Sequence, residues 1–194
     1  MTHSIPAALL FGSLTLVACG DSSRRDAAPE QDQPSMAQDS PPAAPASAAQ
    51  ATLIDSTGKE LGNLTLTDSS QTIAVTGQLT GLPPGEHAIH LHTVGRCESP
   101  KFESAGDHWN PTNRQHGKDN PRGPHLGDLP NFTVSADRSA AVQVTTPGGT
   151  LQGNTPLMDS DGAAVVVHAK RDDYKTQPSG DSGDRIACGV VNGQ

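Results

Sequence analysis

The stretch Ala88-Ile89-His90-Leu91-His92 decides how the chain is read. In an extended strand, residues 90 and 92 face one side while 89 and 91 face the other. Ile89 and Leu91 belong in a core, so His90 and His92 are expected side by side on the outer face. The same alternation recurs at Leu64 and Leu66, at Ile73, Val75 and Leu79, at Phe132 and Val134, and at Val142 and Val144. Stretches 163–167 and 186–191 are apolar runs of strand length. Gly81-Leu82-Pro83-Pro84-Gly85, residues 135–139 and residues 159–162 are rich in turn formers. No segment has helical periodicity and no internal repeat is present. The expected fold is all-β, an eight-stranded antiparallel Greek-key barrel or sandwich of about eight strands over residues 51–194.

Composition narrows the function. The 194 residues carry 13 Lys+Arg against 21 Asp+Glu, a formal charge of -8, which argues against a nucleic-acid partner. No apolar run is long enough to span a membrane as a mature helix. Aromatic residues make up only 3%, a poor supply for a core that must also hold long loops. Yet 93–128 and 172–184 read as two long functional loops, dense in Gly, Pro, Asn and other polar residues.

The first of these loops carries His108, His116, His125 and Asp128. Three imidazole nitrogens and a carboxylate complete a tetrahedral set for Zn²⁺. His90 and His92 can hold one transition metal, although a surface pair on a strand is the commoner reason for such spacing. His168 ends an apolar strand, and by itself reads as a satisfied core residue. His87 shares the face of Ile89 and Leu91 and reads as structural.

At the other end of the chain, residues 7–18 form an apolar run of signal-peptide length. Leu16-Val17-Ala18-Cys19 resembles a bacterial lipobox, in which the Cys is acylated and becomes the mature N-terminus. The expected division is a lipoprotein signal peptide over 1–18, a disordered tether over 19–50 and a folded domain over 51–194. Gly20, rather than Asp, follows Cys19, which by resemblance to bacterial lipoproteins favours the outer membrane over the inner. Three cysteines are otherwise an odd number for an exported protein. With Cys19 taken by lipid, an exported location favours a disulfide between Cys97 and Cys188. Arg185 lies three residues before Cys188, and in isolation reads as a salt-bridge partner.

Residues 85–92 (Gly-Glu-His-Ala-Ile-His-Leu-His), His108-Trp109-Asn110-Pro111, His116-Gly117, 124–129 (Pro-His-Leu-Gly-Asp-Leu), Val166-Val167-His168 and 184–190 (Asp-Arg-Ile-Ala-Cys-Gly-Val) together resemble the copper/zinc superoxide dismutase family. The resemblance spans essentially all of 51–194. The spacing from His92 through Cys97 to His108 looks like the bacterial branch. The resemblance implies copper ligands His90, His92, His108 and His168, and zinc ligands His108, His116, His125 and Asp128. His108 would bridge the two metals. Asp172 would link a copper-ligand His to a zinc-ligand His, and Arg185 would position superoxide.

The implied activity is disproportionation of superoxide to O₂ and H₂O₂, protecting the cell envelope or periplasm. The implied cofactors are one copper and one zinc per chain. Membrane contact would run through the N-terminal lipid only, and a homodimer is one assembly the resemblance allows. The alternative is a non-enzymatic copper/zinc-binding or copper-delivery lipoprotein on the same fold. Two positions depart from the family pattern. Asp107 precedes His108 where many relatives have a small residue or Pro, and it weakens the attraction of superoxide, tunes the bridging His108 or faces solvent. Pro178 stands where some relatives carry Lys, leaving Lys175 as the substitute charge.

Overall fold

The computed structural model describes residues 47–193. The expected signal segment, Cys19 and most of the expected tether lie outside the described residues. Nine strands follow in order: β1 (Ala48–Asp55), β2 (Glu60–Ser69), β3 (Thr72–Thr80), β4 (Gly85–His87), β5 (Ile89–His92), β6 (Phe132–Val134), β7 (Ser139–Thr145), β8 (Ala164–His168) and β9 (Arg185–Gly193). A single 3-10 turn covers Glu103–Ala105. No described helix is long and apolar enough to cross a membrane.

The strands form an antiparallel, Greek-key-like arrangement. Seven of them make one sheet in the order β5-β8-β9-β1-β2-β3-β7, and β4 pairs with β6 separately. The large sheet is open, with β5 and β7 as its edges, so hydrogen bonding alone does not close a barrel. The strand count exceeds the expected eight because Ala88 interrupts what would be one strand. Its N–H donates to Lys170 O and its carbonyl accepts from His168 N–H, which diverts the backbone between β4 and β5.

β1 did not stand out in the sequence, yet it lies between β9 and β2. It begins at Ala48, so its first three residues fall in the stretch expected to be tether. Ala49 pairs with Leu66 and with Gly193.

Alternation sorts the side chains between two cores. The main core takes Leu53, Leu64, Leu66, Ile73, Val75, Leu79, Ile89, Leu91, Val165 and Val167 among others. Each fully buried Ile or Leu contributes about 1.5–3 kcal/mol relative to exposure. A smaller cluster of Phe102, Ala105, Ala164, Val166 and Cys188 occupies the opposite face of β8 and β9. β8 is therefore buried on both faces, which is why it reads as a continuous apolar run rather than an alternating one.

The disulfide Cys97–Cys188 ties that second face to the loop that leaves β5, across a sequence separation of 91. In the chain-entropy account a closure of this length stabilises by about 4–5 kcal/mol.

Candidate metal centre

The outer face of β5 is not outer. His90 and His92 were expected beside solvent, but both are 0% exposed. The loops after β5 and β8 fold over that face, and the first loop also hydrogen-bonds along the free edge of β5. Leu91 N–H donates to Gly127 O, Trp109 N–H donates to Leu91 O, and Gly127 N–H donates to Trp109 O. Gly127 is required here, because a Cβ would run into the Leu91 carbonyl. This edge pairing sets His108 opposite His92, and Asp128 opposite His90.

Two clusters result, and they share one residue. His90, His92, His108 and His168 bring ring nitrogens together in the first. His108, His116, His125 and Asp128 converge in the second. In the second cluster the Nδ1 atoms of His108, His116 and His125 lie 2.8, 3.0 and 3.1 Å from Asp128 Oδ1. Those separations are slightly tighter than the edge of roughly 3.3 Å in a tetrahedron with Zn–N of about 2.0 Å. Asp128 Oδ2 accepts from the N–H groups of Gly117 and His125, which fixes the carboxylate.

The remaining polar atoms show whether metals fit. Among the described residues, His90 Nδ1, His92 Nε2, His108 Nε2 and His168 Nε2 are buried without a hydrogen-bond partner, as is Ser182 Oγ, whereas His116 Nδ1 faces Asp128 Oδ1 at 3.0 Å. Leaving such groups unpaired costs about 1–3 kcal/mol each. The opposite nitrogens of four of these rings are satisfied. His90 Nε2 and His116 Nε2 meet Asp172 at 2.9 and 3.0 Å, His92 Nδ1 meets Gly106 O at 2.9 Å, and His168 Nδ1 meets Gly183 O at 3.2 Å. A ring held from one side, with its other nitrogen bare in a shared space, is how an imidazole ligand is oriented. Soft-to-borderline imidazole donors suit copper, and the three-nitrogen, one-oxygen set suits zinc.

Electrostatics differ between the clusters. Burial pushes His90 and His92 well below the ordinary histidine range, with the neighbouring His108 adding to the effect. Burial likewise takes His168 down to about 4, against the pull of the Gly183 carbonyl. His108 is also lowered by burial, against Asp128. Burial acts on His116 in the same direction, but its bonds to Asp128 and Asp172 outweigh it and raise the group to about 9. Burial tends to raise Asp128 and Asp172, and their histidine partners overcome it, holding both below the carboxylate range.

Asp172 thus joins His90 to His116. Gly180 closes over it at φ +71°, where a Cβ would overlap Asp172 Oδ1. Arg185 donates from Nη1 to Phe102 O and from Nη2 to Gly106 O, both at 2.8 Å. It lines an open cleft with His108 and His168, and Pro178 and Asp107 also stand on its wall. Lys175 is exposed and is not among the residues lining the cleft. His87 sits outside both clusters, its Nδ1 and Nε2 each 2.8 Å from a carbonyl, those of His168 and Pro83.

Sequence reasoning missed several supports. Asn131 brackets Asp172, donating to its carbonyl and accepting from its N–H. Gln177 accepts from His116 N–H and donates to His116 O, which locks the second loop onto the first. Nothing in the spacing of an Asn or Gln marks such a role.

The antiparallel β-fold carries two clusters that share the His108 imidazole, a donor arrangement consistent with a dual metal site. Residues 61–191 match the family model described as "Copper/zinc superoxide dismutase (SODC)". The chain belongs to that family. It is 40% identical over 146 residues to "Superoxide dismutase [Cu-Zn] 2" of Aquifex aeolicus, covering 74% of this chain and 85% of that protein. It is 42% identical over 138 residues to "Superoxide dismutase [Cu-Zn]" of Caulobacter vibrioides, covering 69% and 79%. Among solved structures, a SOD-like protein from Bacillus subtilis matches with TM-score 0.70 at 37% identity, covering 73% of this chain and 96% of that one. Family membership and the paired clusters support oxidoreductase activity at the family level.

Proposed function

We propose that this protein disproportionates superoxide to O₂ and H₂O₂, with copper held by His90, His92, His108 and His168, and zinc by His108, His116, His125 and Asp128. One observation carries the reading: bare, buried ring nitrogens of His90, His92, His108 and His168 converge in one cluster, and the Nδ1 atoms of His108, His116 and His125 close on Asp128 in a second that shares His108. When bound, copper would supply a one-electron couple, and zinc a redox-silent cation that fixes the loop.

The chain's own residues do the rest. Arg185, anchored by two carbonyls, offers its remaining donors and its charge to an anion entering the cleft. His108 turns Nε2 to the first cluster and Nδ1 to the second, so one ring would serve both metals, and Nε2 could hold a proton for the reduced product only while it is not a ligand. Asp172 holds His90 and His116 in fixed orientation.

The test is superoxide consumption by the full chain reconstituted with copper and zinc. Turnover supports the enzyme reading. Stoichiometric metal binding without turnover supports the copper-delivery alternative. Arg185→Ala is expected to lower kcat/KM about tenfold and to flatten its dependence on ionic strength; an unchanged rate and salt slope would remove Arg185 from the mechanism.

We further propose a lipoprotein form working at the cell envelope, anchored through Cys19. The apolar run ending at Cys19 and the polar stretch after it support this. Mass spectrometry of the mature N-terminus, showing either an acylated Cys19 or an unmodified one, decides it.

A further inference from the structure

Gly106, Asp107 and His108 are consecutive, and each of the outer two touches the proposed site. Gly106 O accepts from both His92 Nδ1 and Arg185 Nη2. His108 belongs to both clusters. The Asp107 backbone is pinned as well, its carbonyl accepting from Thr93 N–H at 3.0 Å. Asp107 is exposed on the cleft wall that also carries His108, His168 and Arg185.

The charges around that opening do not favour an anion. Asp107, Asp159 and Arg185 are the Asp, Glu, Lys and Arg side chains on the cleft wall, so the two carboxylates outnumber the one cation. Pro178 and Ser179, which also line the cleft, are neutral. Burial lowers the Arg185 guanidinium, and the charge of Asp107 is the leading influence against that. The two groups feel each other without a direct ion pair within 4 Å among the described residues.

We infer that Asp107 is a specificity-determining residue for anions: its carboxylate at the cleft rim opposes Arg185 and slows anion entry. The inference rests on the cleft being the superoxide site. A unit charge at a cleft rim, partly screened by water, changes an anion's local concentration by a factor of about two to four at low salt. The effect fades as the screening length shrinks.

The experiment uses the full chain with Asp107→Asn, and Asp137→Asn on the β6–β7 turn as a control for net charge alone. With copper and zinc loaded, Asp107→Asn should raise kcat/KM for superoxide about two- to fourfold at about 10 mM ionic strength. The gain should vanish by about 0.5 M, and Asp137→Asn should show none. The second readout needs neither metal nor turnover. Inorganic phosphate is titrated into metal-free protein and followed by NMR at the Arg185 Nε–H. Asp107→Asn should tighten phosphate by a similar factor. A variant that leaves either quantity at the wild-type value overturns the inference. If loaded wild-type protein consumes no superoxide, the enzyme reading fails instead, and the phosphate titration still decides the part played by Asp107.

Discussion

Half of the metal centre is built on strands and half on a loop. His90, His92 and His168 belong to β5 and β8, whose register is locked by hydrogen bonds and by Ile89, Leu91, Val165 and Val167 in the core. His116, His125 and Asp128 lie in the segment between β5 and β6, held by edge pairing, two glycine contacts and Gln177. The strand-borne rings are lowered by burial and sit neutral, ready to ligate. On the loop side, the bonds to Asp128 and Asp172 raise His116 to about 9, and the histidine partners hold Asp128 below the carboxylate range. The strands thus carry neutral donors, and the loop carries donors already paired with a carboxylate.

Several experiments would break or sharpen that contrast. The largest effect is expected from His90→Ala. Superoxide consumption and copper affinity should each fall by more than about 100-fold, since even an outer partner of a ligand commonly accounts for 10–100-fold. Zinc retention, measured by elemental analysis, should change little. Parallel loss of zinc would mean the two halves are one unit.

Asp128→Asn is the reciprocal case. Zinc affinity should drop by about 100-fold. Amide exchange at Gly117 and His125, whose N–H groups bond to that carboxylate, should speed up while exchange in β5 and β8 stays slow. Asp172→Asn touches His90 and His116 at once, so both metals should weaken by about 10–100-fold. Selective loss of one metal would contradict its linking role.

The smallest effect is in pH, read from thermal unfolding of metal-free protein. His116 has its folded value raised from 6.5 to about 9, so its contribution is full below 6.5 and is lost as pH rises through 9. His168 has its folded value lowered to about 4, so the unfolded chain binds the extra proton between 4 and 6.5. Its contribution is therefore present above 6.5 and lost as pH falls through 4. Stability should peak near pH 6.5 and fall on both sides. Zinc alone should remove the alkaline fall, and copper alone the acid one.

Much of this was legible from residues. Alternation placed Ile89 and Leu91 in the core, and the run 163–167 was read as a strand. Ligand chemistry was readable too, since three His and an Asp in a glycine-rich loop have few other uses together. β1 was harder to see: Ala49, Ala51 and Leu53 are small or separated, so their periodicity is weak although all three are fully buried. The depth of His90 and His92 is invisible in the sequence for a related reason. Alternation tells which residues share a face, but not what later folds across it.

The sequence by itself determined face parity, the donor set and the cysteines available to pair, because those depend on residue type and near-neighbour spacing. Only the tertiary structure decided which nitrogens of His90, His92 and His168 are free, that Asn131 and Gln177 brace Asp172 and His116, that Gly106 O serves His92 and Arg185 together, and that Asp107 stands at the entrance. Each of those joins residues far apart in the chain. Their meeting depends on the pairing of β5 with β8 and with the loop along its edge, and no local pattern encodes that pairing.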